Sequence, residues 1–77
     1  MKQAIIDLGT NTFHLLIVEK IDQSYKTLFR ESRPAKIGQA GINQGIITAE
    51  AIERALTVLT YFRKVLDEFA IAPEQVA

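Results

Sequence analysis

The most informative segment of the sequence is AIIDLGTNTFHLLIVEK, residues 4–20. It begins as an apolar run, breaks at DLGTNT (residues 7–12), and resumes as a second apolar run that carries the single histidine, His14. Short apolar runs of this kind are typical of buried strands, and the polar interruption is typical of a tight turn. The sequence therefore predicts a strand over residues 2–7, buried on both faces, and a second strand over residues 12–19.

The remainder of the chain adds one more strand and then changes to the period of a helix. Residues 25–33 alternate well enough for a third, more solvated strand, which Pro34 ends because proline cannot donate to a central ladder. A glycine-containing loop over residues 34–48 leads to Thr48, a residue type that favours helix N-caps. The apolar residues that follow recur at spacings of three and four, which predicts an amphipathic helix closed off by Pro73. The predicted apolar stripe comprises Ile52, Leu56, Leu59, Phe62, Leu66 and Phe69, widened by Val58 and Val65.

The order of elements is strand, strand, strand, helix, and the opening of a further strand at Val76. One face and one edge of such a sheet lack partners. We therefore expect residues 1–77 to be the front part of a larger α/β domain, with a self-contained module of three strands and a helix as the alternative.

Composition and charge exclude several classes of protein. The chain has 77 residues, of which 48% are hydrophobic, and no cysteine, which excludes a disulfide scaffold and a thiolate nucleophile. Nine basic residues balance nine acidic ones, so we expect no nucleic-acid partner. The start lacks the pattern of a secretory signal, and the apolar runs are too short to span a bilayer. These features predict a cytoplasmic protein with no membrane partner.

The turn at residues 7–12 has the residue types of an anion-binding site. Asp7 ends the first strand, Gly9 permits a positive φ and close approach to the backbone, and successive N–H groups from Gly9 onward can converge on an anion. A carboxylate beside such a cradle suits Mg²⁺, which binds carboxylates, waters and phosphate oxygens. The same residues also suit a plain turn, in which Asp7 accepts a hydrogen bond from the backbone two residues on, and spacing alone leaves both interpretations open. The remaining side chains of the turn are small hydrogen-bonding groups: Thr10, Asn11 and Thr12.

IDLGTNTFHLLIVE resembles the first phosphate-binding motif of the actin, heat-shock-chaperone and sugar-kinase superfamily. More specifically, it resembles the opening of the exopolyphosphatase and guanosine pentaphosphatase (Ppx/GppA) family, typically Asp-Leu-Gly-Ser/Thr-Asn-Ser/Thr. KIGQAGINQGIITAEAIERALTVLTYF is similar to the Gly-rich loop and first long helix of that family, so the resemblance covers nearly the whole chain. Kinases and actins usually have Lys or Arg at the position of His14, and kinases tend to have Thr or Gly at that of Asn11. Both differences favour the phosphatase branch.

The resemblance implies an α/β fold of the ribonuclease-H-like, actin-like ATPase type. Residues 1–77 would form the amino-terminal part of its first domain, and the rest of that domain and a second domain would lie outside this chain. It also implies Mg²⁺-dependent hydrolysis of a terminal phosphoanhydride in inorganic polyphosphate or in guanosine penta- or tetraphosphate, a place in the stringent response, and a homodimer as the full-length form. The alternatives are a sugar or carboxylate kinase that uses the turn for ATP, and a non-catalytic scaffold that retains the fold.

The resemblance also implies roles for individual residues. Asp7 would hold Mg²⁺ or orient the attacking water, and the terminal phosphates would be bound by Gly9, Thr10, Asn11 and Thr12. The catalytic glutamate of the family would lie beyond Ala77, so we expect the isolated chain to be inactive. Arg33 and Lys36 are candidate contacts to a polyanion, whereas a lone histidine in an apolar strand, such as His14, is expected to be structural.

Overall fold

The computed structural model describes residues 1–37 and 48–77. These ranges contain three strands, β1 (Lys2–Leu8), β2 (Thr12–Ile21) and β3 (Ser24–Pro34), then helix α1 (Ala49–Glu68) and a short 3₁₀ helix at Pro73–Gln75. The predicted order of three strands and a helix is confirmed. Most of the predicted glycine-containing loop lies outside the described residues.

Two antiparallel hairpins form the sheet, in the order β1-β2-β3. In the first hairpin Leu8 pairs with Phe13, so residues 9–12 form the connection. The second hairpin closes on Ile21 and Ser24, with Asp22 at a φ of 54°. Aspartate is among the few non-glycine residues that visit this left-handed region readily, which explains its use in so short a turn.

A β-bulge in β3 changes which residues face the core. Ile17 pairs with Phe29, whereas its neighbour Val18 pairs with Thr27, so Leu28 is an extra residue in the register. A bulge places consecutive side chains on one side of the sheet. Leu28 and Phe29 accordingly both pack against the core.

The end of the chain returns to β1, as the predicted further strand requires. Val76 pairs in parallel with Ala4. The Ala77 N–H donates to the Ala4 carbonyl oxygen at 2.8 Å, and the Ile6 N–H donates to the Ala77 carbonyl oxygen at 2.9 Å. Parallel neighbours need a crossover connection, and α1 supplies it. β1 is therefore flanked by β2 on one side and by this terminal segment on the other.

Both ends of α1 are capped by local hydrogen bonds. Thr48 is the N-cap, and its hydroxyl oxygen accepts from the Ala51 N–H at 3.2 Å, which confirms the predicted helix start. At the other end Ala70 has a φ of 57°, and the Ile71 N–H donates to the Leu66 carbonyl oxygen at 3.0 Å. This is a Schellman motif, and it ends the helix before Pro73 is reached.

The core lies between α1 and one face of the sheet. Its largest fully buried side chains come from β2 and from the middle of the helix: Phe13, Leu15, Ile17 and Phe62. The helix also buries Ala51, Val58 and Val65. We call the sheet surface that carries Phe13, Leu15 and Ile17 the covered face. Among the described residues no helix is both long enough and apolar enough to cross a membrane.

Two predictions about burial are wrong in part. Ile52 and Leu56 of the predicted stripe are 49% and 59% exposed, whereas Phe62 of the same stripe is fully buried, as predicted. The helix carries apolar side chains over a wider arc than the sheet covers, and their spacing does not specify where the covered part ends. Ile5 of β1 was predicted to be buried but is 46% exposed, because α1 covers only one side of the strand.

Candidate phosphate-binding site

The turn between β1 and β2 is closed by its own backbone. The Gly9 N–H donates to the Thr12 carbonyl oxygen at 3.1 Å. A Cβ atom at Gly9 would lie 2.9 Å from that same oxygen, a separation that Cβ atoms essentially never show. Glycine is therefore needed for close approach of the backbone, as predicted. The positive φ that glycine and asparagine permit is not used here: neither Gly9 nor Asn11 lies in the left-handed region.

The hydrogen bond within the turn limits which donors are open to an anion. The Gly9 N–H is occupied by Thr12, so it contributes to an anion cradle only if that bond opens. The N–H groups of Thr10 and Asn11 have no acceptor within residues 1–37 and 48–77. Both residues are exposed at the tip of the hairpin, whereas Thr12 begins β2 opposite Pro34. Within the described part of the chain, two adjacent backbone donors next to the end of β1 at Asp7 therefore have no acceptor.

Asp7 lies on the sheet face that α1 leaves uncovered. Its cross-strand partner is His14, whose partner on β3 is Ser32, so the three residues form one row across the sheet. His14 Nδ1 and Ser32 Oγ are hydrogen-bonded at 2.7 Å. His14 therefore has the polar partner expected of a structural histidine, although it is exposed rather than enclosed by apolar side chains.

A shallow depression of about 350 Å³ lies over this uncovered side of the sheet. We call the surface the open face and define it by the alternating residues that line the depression: Ile5, Asp7, His14, Leu16, Arg30 and Ser32. Four of the six are polar or charged. The covered face, by contrast, presents the fully buried apolar side chains of Phe13, Leu15 and Ile17.

The plain-turn interpretation of Asp7 makes a specific demand on the backbone. The carboxylate would have to accept from the N–H two residues on, which is that of Gly9. That N–H donates to Thr12 instead. No described residue forms an ion pair or hydrogen bond with the Asp7 carboxylate, which is exposed. The shape of the turn therefore does not depend on this carboxylate within the described structure.

Arg33 lies on the side of the sheet opposite to Asp7. It pairs with Phe13, a residue of the covered face, and its guanidinium lies 4.4 Å from the centroid of the Tyr61 ring on α1. The guanidinium also donates to the Glu31 carboxylate, which accepts from the Tyr61 hydroxyl at 2.9 Å. The structure therefore does not bring Arg33 together with Asp7. The alternation of side chains along β3 separates them, since Ser32 is the residue that shares a row with Asp7.

The charges of Glu31 and Arg33, which meet beside Tyr61, influence each other. The hydrogen bond from Arg33 lowers the pKa of Glu31, and the Tyr61 hydrogen bond acts in the same direction. The contacts of Arg33 with Tyr61 and Glu31 raise the pKa of its guanidinium. Both groups therefore remain charged over a wider pH range than in isolation.

Lys36, the second candidate polyanion contact, does lie beside the turn. The N–H groups of Ala35 and Lys36 both donate to the Asn11 carbonyl oxygen, at 2.8 and 2.9 Å. Arg54 of α1 completes the arrangement: its Nε donates to the Ala35 carbonyl oxygen and its Nη2 to that of Lys36, each at 3.0 Å. Arg54 was not among the residues predicted to be functional. No local signal identifies it, because its acceptors lie 18 and 19 positions earlier in the chain.

The groups available at this turn fit a magnesium ion that is bound jointly by the protein and by a phosphate. Asp7 supplies one exposed carboxylate, and among the described residues no group of three or more His, Asp or Glu side chains could hold a metal ion. Mg²⁺ typically uses one or two carboxylates and completes its shell with waters and phosphate oxygens. The Asp7 carboxylate could supply the protein ligand of such an ion, and the N–H groups of Thr10 and Asn11, which have no acceptor among residues 1–37 and 48–77, could bind the phosphate.

No protein-family profile matches the chain. Solved structures do match it over nearly its full length. An exopolyphosphatase from Cytophaga hutchinsonii is 43% identical with a TM-score of 0.93, and the match covers 99% of this chain and 24% of that one. Two Ppx/GppA structures from Aquifex aeolicus are 26% and 29% identical, each with a TM-score of 0.86, and cover 94% and 99% of this chain. The chain spans about a quarter of the length of these relatives.

These matches confirm both the predicted resemblance and the predicted fold class. Three antiparallel strands followed by a helix correspond to the amino-terminal part of the actin-like fold of these phosphatases. The presence of the remaining part of this fold stays a prediction, as do the roles of the individual site residues.

Proposed function

Since the chain has the fold of the amino-terminal part of the exopolyphosphatase and Ppx/GppA phosphatases, we propose that the full-length protein is a phosphoanhydride hydrolase. Its substrate is inorganic polyphosphate or guanosine pentaphosphate, from which it releases the terminal phosphate. One observation carries the proposal: an exposed Asp7 carboxylate precedes a tight turn with two N–H groups that have no acceptor among the described residues, in a chain 43% identical to a solved exopolyphosphatase.

The turn would bind the phosphoryl group through its backbone. The N–H groups of Thr10 and Asn11 donate to phosphate oxygens, and the hydroxyls of Thr10 and Thr12 add further donors. Preorganised donors of this kind stabilise charge that develops on the transferring phosphoryl group. Gly9 keeps the backbone compact enough for the donors to converge, because a side chain there would collide with the Thr12 carbonyl.

Asp7 would position the attacking water or hold Mg²⁺ next to the phosphate. A bound Mg²⁺ would neutralise part of the phosphate charge. The base that removes the proton from water is expected to be a glutamate beyond Ala77. General acid–base assistance is typically worth about 10²–10⁴ in rate, so residues 1–77 alone should not turn over substrate.

The proposal is tested by measuring phosphate release with the full-length protein. Wild-type protein is incubated with Mg²⁺ and, in separate reactions, polyphosphate, guanosine pentaphosphate, or ATP with a panel of sugars and carboxylates. We expect release of inorganic phosphate from at least one of the first two, lost on chelation with EDTA and absent from residues 1–77. Transfer of phosphate from ATP to a sugar or carboxylate would indicate the kinase alternative. Absence of turnover in every reaction would indicate a scaffold.

A cytoplasmic location and a homodimer are part of the same proposal. Light scattering after size-exclusion chromatography of the full-length protein measures its mass directly. We expect twice the mass of one chain, and a monomeric mass would contradict the dimer without affecting the proposed reaction.

A further inference from the structure

Lys36 has a backbone conformation that side-chain-bearing residues rarely adopt. Its φ is 55°, in the left-handed region, where Cβ approaches the carbonyl oxygen too closely. Lysine has no short polar side chain that could compensate locally, in contrast to Asp22 in the second hairpin. Such outliers persist only where their surroundings impose them, and they concentrate at functional sites.

Hydrogen bonds from two elements impose this conformation. On one side, the N–H groups of Ala35 and Lys36 converge on the Asn11 carbonyl oxygen of the turn. On the other side, the carbonyl oxygens of the same two residues accept from Arg54 of α1. The two peptide units are thus fixed between the turn and the helix, and the Ala35 side chain is fully buried beneath them.

Arginine suits this position better than lysine. Its rigid planar fork places two N–H donors at a fixed separation, which matches two consecutive carbonyl oxygens. Glu50 and Glu53 line the same cavity of about 360 Å³ as Arg54, yet Arg54 forms no salt bridge with any described residue. Its guanidinium donates to backbone carbonyls instead.

We infer that Arg54 is a positioning residue of the phosphate site and that Lys36 is the cationic contact it positions. The exposed Lys36 side chain leaves the backbone at a residue whose N–H is already bonded to the turn. Its ammonium group is suited to the phosphates that follow the terminal one, where a point charge attracts a chain of anions without demanding one geometry. The inference rests on the proposed function and adds Arg54 to it.

The main test compares the same conservative change at two arginines of α1 in the full-length protein. Arg54→Lys keeps the charge and removes the fork. Arg63→Lys is the control, because Arg63 is exposed and lies nine residues further, on the opposite side of the helix. We expect Arg54→Lys to raise KM about tenfold, as the loss of one hydrogen bond to a charged group would. kcat should change less than about twofold, since chemistry at the terminal phosphate is untouched. Arg63→Lys should leave both constants unchanged.

A double-mutant cycle distinguishes positioning of Lys36 from a general structural effect. Lys36→Gly removes the side chain and is compatible with the left-handed φ, so its melting temperature should equal or exceed that of the wild type. We expect Lys36→Gly to raise KM, and adding Arg54→Lys to raise it little further, because both changes remove the same contact. Fully additive effects on KM would overturn the inference that Arg54 acts through Lys36.

The remaining outcomes distinguish failure of the proposed function from failure of the inference about Arg54 and Lys36. A wild-type protein that hydrolyses neither polyphosphate nor guanosine pentaphosphate overturns the proposed function, and this inference with it. An active wild type whose KM is unchanged by Lys36→Gly overturns the inference alone, and this holds even if Arg54→Lys fails to fold. A KM that rises equally in Arg54→Lys and Arg63→Lys would show that replacing any arginine of the helix by lysine has this effect, whatever its backbone contacts, and would also overturn the inference.

Discussion

The two faces of the same sheet differ sharply, although they are built from alternate residues of the same strands. On the covered face Phe13, Leu15 and Ile17 are at most 1% exposed and pack under α1. On the open face the residues between them, His14 and Leu16, lie beside Asp7 and Arg30 around a shallow depression. One face is a packed core and the other is a mixed polar surface.

The contrast shows how neighbouring strands can place the residues that stabilise the fold on one face and candidate binding residues on the other. Because successive side chains point to opposite sides, a substitution on one face leaves the packing of the other largely intact. β3 shows the separation in two arginines: Arg33 stacks on Tyr61 at the edge of the covered face, and Arg30 lines the open face. Substitutions on each face should therefore have different measurable consequences.

The largest expected effect is on the covered face, at Phe62. This side chain is fully buried, so Phe62→Ala removes a large apolar group and leaves a cavity, at a cost of about 3–5 kcal/mol in the free energy of unfolding. Leu56→Ala is the matched control, because Leu56 is on the same helix but 59% exposed. We expect the control to change stability by about 0.5 kcal/mol or less. Urea denaturation of residues 1–77 measures both, and equal losses would mean that the two helix faces are not distinguished as described.

A second large effect is expected at the end of β1, on activity alone. Asp7→Asn preserves the shape of the side chain and removes its charge, so kcat/KM of the full-length enzyme should fall by about 10² or more if Asp7 orients water or holds Mg²⁺. Stability without ligand should be unchanged or slightly raised, since no described group neutralises the carboxylate. Asp22→Asn is the control: it makes the same change at the other hairpin, where asparagine also tolerates the positive φ.

The two measurements on Asp7→Asn must be made together. A plain turn that depends on the carboxylate predicts a lower melting temperature with full turnover. A mutant with that combination of properties would contradict the assignment of Asp7 to the phosphate site.

The sequence was sufficient to locate the elements of this fold. The alternation in β2, the Thr48 cap and the opening of a strand at Val76 are local signals, and each is present in the structure. The orientation of α1 was predicted only in part. Phe62 is buried as the stripe predicted, whereas Ile52 and Leu56 satisfy the same helical period and are exposed, and only the three-dimensional arrangement decides where the covered part of the stripe ends.

The turn was predicted as a motif but not in its geometry. Glycine at residue 9 indicated either a positive φ or a close approach, and only the structure shows that the Thr12 carbonyl is the reason. Lys36 and Arg33 were equivalent as basic residues near the loop, yet they lie beside the turn and under Tyr61 respectively. Arg54 was missed because its partners are backbone carbonyls, which carry no sequence signal.

The smallest expected effect is a pH dependence of folding stability that arises from Glu31, at the edge of the covered face. Arg33 lowers the pKa of Glu31 in the folded protein from the ordinary value of 4.5, and burial opposes this only in part. A carboxylate whose pKa is lower when folded stabilises the protein above its unfolded pKa, and that contribution is lost as pH falls through the folded pKa. The stability difference between wild type and Glu31→Gln should therefore be constant near neutral pH and shrink below about 4.5. Chemical denaturation from pH 7 to pH 3 measures this difference.

The control compares two arginines of β3. Arg33→Met should abolish most of the stability difference between wild type and Glu31→Gln, whereas Arg30→Met, the same change on the open face, should preserve it. Equal effects of the two arginine variants would show that net charge acts on Glu31, rather than the contact that the covered face provides.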